Sequence, residues 1–136
     1  MARTCVITGG TSGIGKATAE ILKADGWEIV ATGFTDEELA ANPGSRHLDV
    51  RDMAAVEAFF AEFDSLDGLV NAAGVGAVGD AMSQDAFDTT IDINLTGTFR
   101  CCRAAYPALA HSRGAIVNIA SVLGFVSNIN VPRDNR

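Results

Sequence analysis

Short runs of consecutive apolar residues alternate along this chain with longer stretches in which apolar residues recur every three or four positions. "RTCVITG" (3–9) is the first run, rich in strand formers and closed by glycine. From Ile14, the residues Ala17, Ile21 and Leu22 follow at the spacing of one helix face. Gly26 stands where a helix C-terminus takes a left-handed residue. "EIVAT" (28–32) and "RHLDV" (46–50) predict a second and a third strand. Asp52 is placed to cap a helix over "MAAVEAFFAEF", with Val56, Phe59, Phe60 and Phe63 on its buried side. "DGLVNAAG" (67–74) predicts a fourth strand ending in small residues. Residues 83 to about 110 read as helical in one or two segments, with Asn94 and Gly97 inside. "GAIVNIAS" (114–121) predicts a fifth strand.

Strands of this wholly apolar character, alternating with helices, belong to a parallel sheet covered on both faces. The predicted fold is therefore α/β, a doubly wound parallel sheet. Ligands of such folds bind at the carboxyl ends of the strands, near the point where strand order reverses.

Composition narrows the function classes. The 136 residues fit one domain. Ten Lys and Arg against 17 Asp and Glu give a net charge of -7, with no basic block. That balance argues against nucleic acid and against anionic lipid as partners. No apolar run approaches the ~18 residues of a membrane span. The three cysteines, Cys5, Cys101 and Cys102, are odd in number with two adjacent. This is the pattern of neither a disulfide framework nor a zinc site, and it predicts reduced thiols in the cytoplasm.

The chemistry concentrates where the first strand meets the first helix. "VITGGTSGIGKATAE" carries Gly9, Gly10, Gly13 and Gly15 in the spacing G-x-x-x-G-x-G. Gly9 suits a sharp turn, Gly13 a close approach of backbone to pyrophosphate, and Gly15 tight packing of helix on strand. The helix N-terminus offers free N–H groups and a positive dipole end to phosphates. Thr11 and Ser12 add hydroxyl donors beside Ile14. A glycine-rich turn without a ligand is the plain alternative.

In "TGGTSGIG" (8–15) the chain resembles the short-chain dehydrogenase/reductase family, whose cofactor loop reads T-G-x-x-x-G-x-G. Four further segments carry the resemblance in order. "LDV" (48–50) matches the segment whose Asp, here Asp49 followed by Val50, contacts the adenine ring. "NAAG", Asn71, Ala72, Ala73 and Gly74, matches the segment that supports the central sheet and lies along the cofactor. "INLTGTF" (93–99) carries Asn94 at the catalytic-site Asn, and "IVNIAS" (116–121) places Ser121 at the catalytic Ser. The match runs from about Cys5 to Pro132. Read without the family, Asn71 and Asn94 are amides satisfying backbone groups beside strand ends, and Ser121 is a turn residue.

The resemblance implies a Rossmann-like sheet and a hydride transfer between a nicotinamide cofactor and a carbonyl or alcohol substrate. In the family, Tyr-x-x-x-Lys follows the Ser by about a dozen residues. The Tyr exchanges the proton, and the Lys ammonium lowers its pKa from ~10. Here "SVLGFVSNINVP" is followed by "RDNR", with Asp134 at the approximate place of the Tyr. The expectation is an incomplete dinucleotide-binding domain over 1–132, ended after the fifth strand and before that motif, with a polar tail over 133–136. Such a chain lacks the catalytic Tyr and Lys and is inactive alone. Asp134, near pKa ~3.9, is already ionised at pH 7 and is no proton donor. Tyr106, the only tyrosine, is expected as a packing residue, and His47 and His111 as surface or helix-end residues. Two other readings stay open: an active reductase with an unusual proton donor, and a non-catalytic nucleotide-binding or interaction module.

Cofactor choice is read from the end of the second strand. An acidic residue there would bind the ribose 2′-OH of NAD, but the stretch reads "ATGF", with Gly33 and Phe34. NADP or NAD is expected with a slight lean to NADP, with Lys16 as a possible aid. The partners implied are a dinucleotide and a small carbonyl or alcohol compound. An uncovered fifth strand, and an apolar stripe with Phe99 and Leu109 on the preceding helix, predict a homo-oligomer or an aggregation-prone chain.

Overall fold

The computed structural model describes residues 2–76, 79–80 and 82–125. The end of the family-like stretch near Pro132 and the tail 133–136 lie outside the described residues. Five strands, β1 (Thr4–Thr8), β2 (Glu28–Gly33), β3 (Arg46–His47), β4 (Gly68–Asn71) and β5 (Ala115–Asn118), form one parallel sheet in the order β3-β2-β1-β4-β5. Val6 is registered with Val30 on one side and Leu69 on the other. Strand order reverses between β1 and β4, so the switch-point crevice opens between their carboxyl ends.

The helices α1 (Gly13–Ala24), α2 (Asp36–Ala41), α3 (Met53–Phe60), α4 (Gln84–Ile91) and α5 (Thr98–Ser112) connect the strands. Two apolar layers pack on the sheet. One gathers Val6, Leu69, Val56, Phe59, Phe60 and Leu109 beneath α3 and α5. The other gathers Cys5, Ile7, Val70 and Ala19 beneath α1. Neighbouring strand residues thus point to opposite layers, as the pleat requires. Both faces of the central strands are buried, which explains their unbroken apolar sequence. Burial pushes the Cys5 thiol up to about 11 and the Cys101 thiol up to about 12. At neutral pH both are protonated packing groups, not nucleophiles.

Several elements differ from the sequence expectation. The third strand is two residues long, because the chain turns away after Leu48 N donates to Gly33 O at 3.0 Å. The fourth strand stops at Asn71 and the fifth at Asn118. The helix capped by Asp52 runs to Phe60, and Phe63 is only partly buried. Helix α2 has no apolar periodicity and was not expected. Its signature is a capping box, in which Thr35 Oγ1 accepts from Glu38 N and Glu38 accepts from Thr35 N.

On α1, Ile14, Ala17 and Ile21 face solvent, whereas Gly15 and Ala19 are buried and Leu22 is packed against the inner layer. The smallest residues face inward because a Cβ at Gly15 would overlap the Gly9 carbonyl oxygen. Close backbone approach, not side-chain size, sets that helix's rotation. On α5, Leu109 is buried and Tyr106 exposed, the reverse of the sequence expectation.

Candidate functional site

A cleft of about 580 Å³ opens at the carboxyl ends of β1, β2 and β4. The glycine loop forms one wall with Gly9, Thr11, Ser12, Gly13, Ile14 and Gly15. Asp49 and Val50 contribute a second wall, and Ala72, Ala73 and Gly74 a third. All of these came from the sequence reading. Gly9 has φ +63°, and a Cβ there would lie 2.7 Å from the Ala73 Cα, so glycine seals the junction of the β1 and β4 loops. Gly13 has φ +50° with no atom within 4 Å of its Cβ position. Open space thus faces the start of α1. Ser12 precedes that helix without a side-chain capping bond, which leaves its hydroxyl and the first N–H groups unclaimed by a cap. This arrangement can receive an anion.

Asn71, Asn94 and Ser121 do not line the cleft. Asn71 is buried, and its amide donates to Asn118 Oδ1 at 2.8 Å and to Cys102 Sγ at 3.3 Å; Asn71 Oδ1 is buried with no partner. Asn94 lies in a π-helical turn, Asp92–Gly97, that joins α4 to α5. Its Oδ1 accepts from Val75 N and its Nδ2 donates to Val75 O, both at 2.8 Å. A π turn of this kind often marks a functional position. Arg100 secures it from α5, donating to Asp92 Oδ1 at 2.8 Å and reaching Val50 O at 3.4 Å. Ser121 precedes a short turn, Val122–Gly124, and its hydroxyl accepts from Leu123 N at 3.2 Å. Both side chains thus carry local structural duties at the positions the family-like segments specify.

Sequence reasoning missed the outer rim of the cleft. Beside Phe34, which that reading had already placed at the end of β2, Thr35, Glu38 and Arg51 line it there, and Thr89, Ile93 and Ile119 close it toward β5. Glu38 accepts from the Phe34 and Thr35 N–H groups at 2.8 and 3.0 Å, and these bonds hold its carboxyl below the usual carboxylate range. Arg51 grips Asp49 with two donors, Nη2 to Oδ2 at 2.7 Å and Nε to Oδ1 at 2.9 Å. The guanidinium hydrogen bonds depress the Asp49 pKa. The pair is therefore intact at neutral pH and is lost as pH falls through that depressed value.

A model of the short chain dehydrogenase family matches residues 3–133. The chain belongs to this family. Among curated short-chain dehydrogenase relatives, 2,5-dichloro-2,5-cyclohexadiene-1,4-diol dehydrogenase of Sphingobium indicum is 35% identical, aligned over 91% of this chain and 56% of its own length. Serine 3-dehydrogenase of Agrobacterium fabrum is also 35% identical, over 90% of this chain and 55% of its own. Among solved structures, an actinorhodin polyketide ketoreductase with NADPH matches with TM-score 0.81 at 29% identity, covering 94% of this chain and 56% of that one. The chain thus spans about half the length of the short-chain dehydrogenases it matches. Its five parallel strands and Rossmann-like order are those of the family. Among the described residues no helix is long and apolar enough to cross a membrane.

Proposed function

We propose that this chain forms the adenosine- and pyrophosphate-binding half of an NAD(P)-dependent oxidoreductase acting on a small carbonyl or alcohol compound. One observation carries the reading. The glycine loop, the Asp49 loop and the Ala72–Gly74 loop meet around a single cleft at the switch point, with open space at Gly13. When bound, the dinucleotide supplies hydride-transfer chemistry. The chain's own residues bind and orient. The Ser12–Gly15 backbone and the Thr11 and Ser12 hydroxyls receive the pyrophosphate, Asp49 and Val50 flank the adenine, and Asn71 anchors the segment that runs along the cofactor. Asn94 and Ser121 stand for the proton-relay Asn and the Ser that holds the substrate oxygen. NADP is favoured over NAD because no acidic side chain ends β2. Residues 1–132 act as one nucleotide-binding unit, and the three free cysteines suit the cytoplasm. The apolar side chains left exposed on α5 and β5 suit self-association.

As a 136-residue polypeptide the chain is expected to bind nucleotide weakly and to reduce nothing. The only tyrosine, Tyr106, is exposed on α5 and does not line the cleft. A positioned general acid–base typically contributes ~10²–10⁴-fold. Purified chain, freed of host reductases, is incubated with NADPH or NADH and a panel of small aldehydes and ketones. The expected result is no turnover above background. Turnover that disappears in Ser121→Ala would overturn the inactivity and point to a different proton donor. The same observations support a second reading, a nucleotide-binding module without catalysis. Nucleotide binding without turnover, even with the rest of a full-length relative supplied in trans, favours that module.

A further inference from the structure

The rim at the end of β2 carries a cation that no residue of β2 supplies. Phe34 is half exposed, and the Arg51 guanidinium carbon lies 5.1 Å from its ring centroid. A cation over a ring face at this distance is attracted by the ring's quadrupole. Asp49 takes the Nε–H and one Nη2–H of Arg51. A guanidinium has five donors, so three remain. His47 of β3 lies against Phe34 as well, its ring tilted by 35° with centroids 5.9 Å apart. The two carboxylates of the cleft wall are committed, Glu38 to backbone N–H groups and Asp49 to Arg51.

The position from which a carboxylate would bind a ribose 2′-OH is closed as well. A Cβ at Gly33 would lie 2.6 Å from Cγ2 of Thr11, which is itself buried. An acidic side chain there must displace a residue of the glycine loop. The end of β2 is where a dinucleotide fold reads the 2′ position, through an acid for a hydroxyl or a nearby Arg for a phosphate. Here the chain brings that Arg from the loop after β3 and seats it on an aromatic ring. A phosphate monoester dianion takes parallel N–H donors from a planar fork better than a hydroxyl does.

We propose that Arg51, held by Phe34 and Asp49, is the group that recognises the adenosine 2′-phosphate and gives this chain its preference for NADP(H). The proposal rests on the nucleotide-site reading above. NADP⁺, NAD⁺, 2′,5′-ADP and 5′-AMP are titrated calorimetrically into the chain and into Arg51→Ala and Arg51→Lys, with circular dichroism confirming that each variant is folded. The chain is expected to bind the 2′-phosphorylated member of each pair at least about tenfold more tightly. Arg51→Ala is expected to weaken NADP⁺ and 2′,5′-ADP at least about tenfold more than NAD⁺ and 5′-AMP, so that the advantage disappears, and Arg51→Lys to restore part of it. An unchanged NADP⁺:NAD⁺ ratio in Arg51→Ala overturns the assignment and leaves the nucleotide site standing. An equal loss for both members also overturns it, since Arg51 would then act only by holding Asp49. If neither dinucleotide binds the chain at all, the nucleotide-site reading falls first and the role of Arg51 with it.

Discussion

Gly13→Val is expected to abolish dinucleotide binding by a folded chain. Gly13 starts α1 with φ +50°, and nothing stands within 4 Å of its Cβ position. A valine therefore meets no protein atom there at its first carbon. It does fill the space through which a pyrophosphate must approach the N–H groups of the loop. The backbone strain of a branched residue at positive φ costs the fold about 1–2 kcal/mol, which a domain of ordinary stability survives. The loss of affinity is expected to exceed about 100-fold, or ~2.7 kcal/mol. Gly15→Val differs in kind, because its Cβ overlaps the Gly9 carbonyl and the fold itself yields. Calorimetric titration of NADP⁺ into Gly13→Val, next to its thermal melt, separates the two. An unaltered affinity in a folded variant would show that the loop does not receive phosphate.

The 136-residue chain is also expected to self-associate. Phe99 and Tyr106 of α5 are 61% and 66% exposed, and Leu95 of the adjoining π turn 63%. All four residues of β5 are exposed, and among the described residues β5 pairs only with β4. Its sequence, Ala115-Ile116-Val117-Asn118, has no charge and no proline to discourage pairing with another chain. Burying apolar surface yields about 25 cal/mol per Å², so a shared patch of several hundred Å² outweighs part of the cost of association. Sedimentation velocity at three or more concentrations should show a weight-average mass that rises with concentration. A concentration-independent monomer that unfolds cooperatively would contradict this and mean that these faces need no cover.

Much of this was legible in the sequence, for identifiable reasons. The central strands are buried on both faces, so their apolar runs stand out whatever surrounds them. The glycines at 9, 13 and 15 answer to backbone geometry that few other residues tolerate, and their spacing fixes the loop. The rotation of α1 was misread because periodicity ranks side chains by size, whereas contact between Gly15 and the Gly9 backbone brings the small face inward. Leu109 was expected on an uncovered stripe of α5, but it belongs to the buried layer with Phe59 and Phe60 of α3, which covers that side of the helix, while Tyr106 is left exposed. Helix α2 escaped because it buries nothing and is held by its capping box. The Arg51–Phe34 rim was invisible because its two members lie on different loops. Only the fold brings the segment after β3 across the end of β2, and no local pattern announces that contact.

The most direct test of the nucleotide site is an amide NMR titration of the ¹⁵N-labelled chain with NADP⁺, followed residue by residue. Saturable shifts are expected at Gly9–Gly15, at Asp49–Arg51 and at Ala72–Gly74, with the amino end of the sheet around Trp27 undisturbed. Absence of saturable shifts, or shifts centred away from these three loops, would contradict the account.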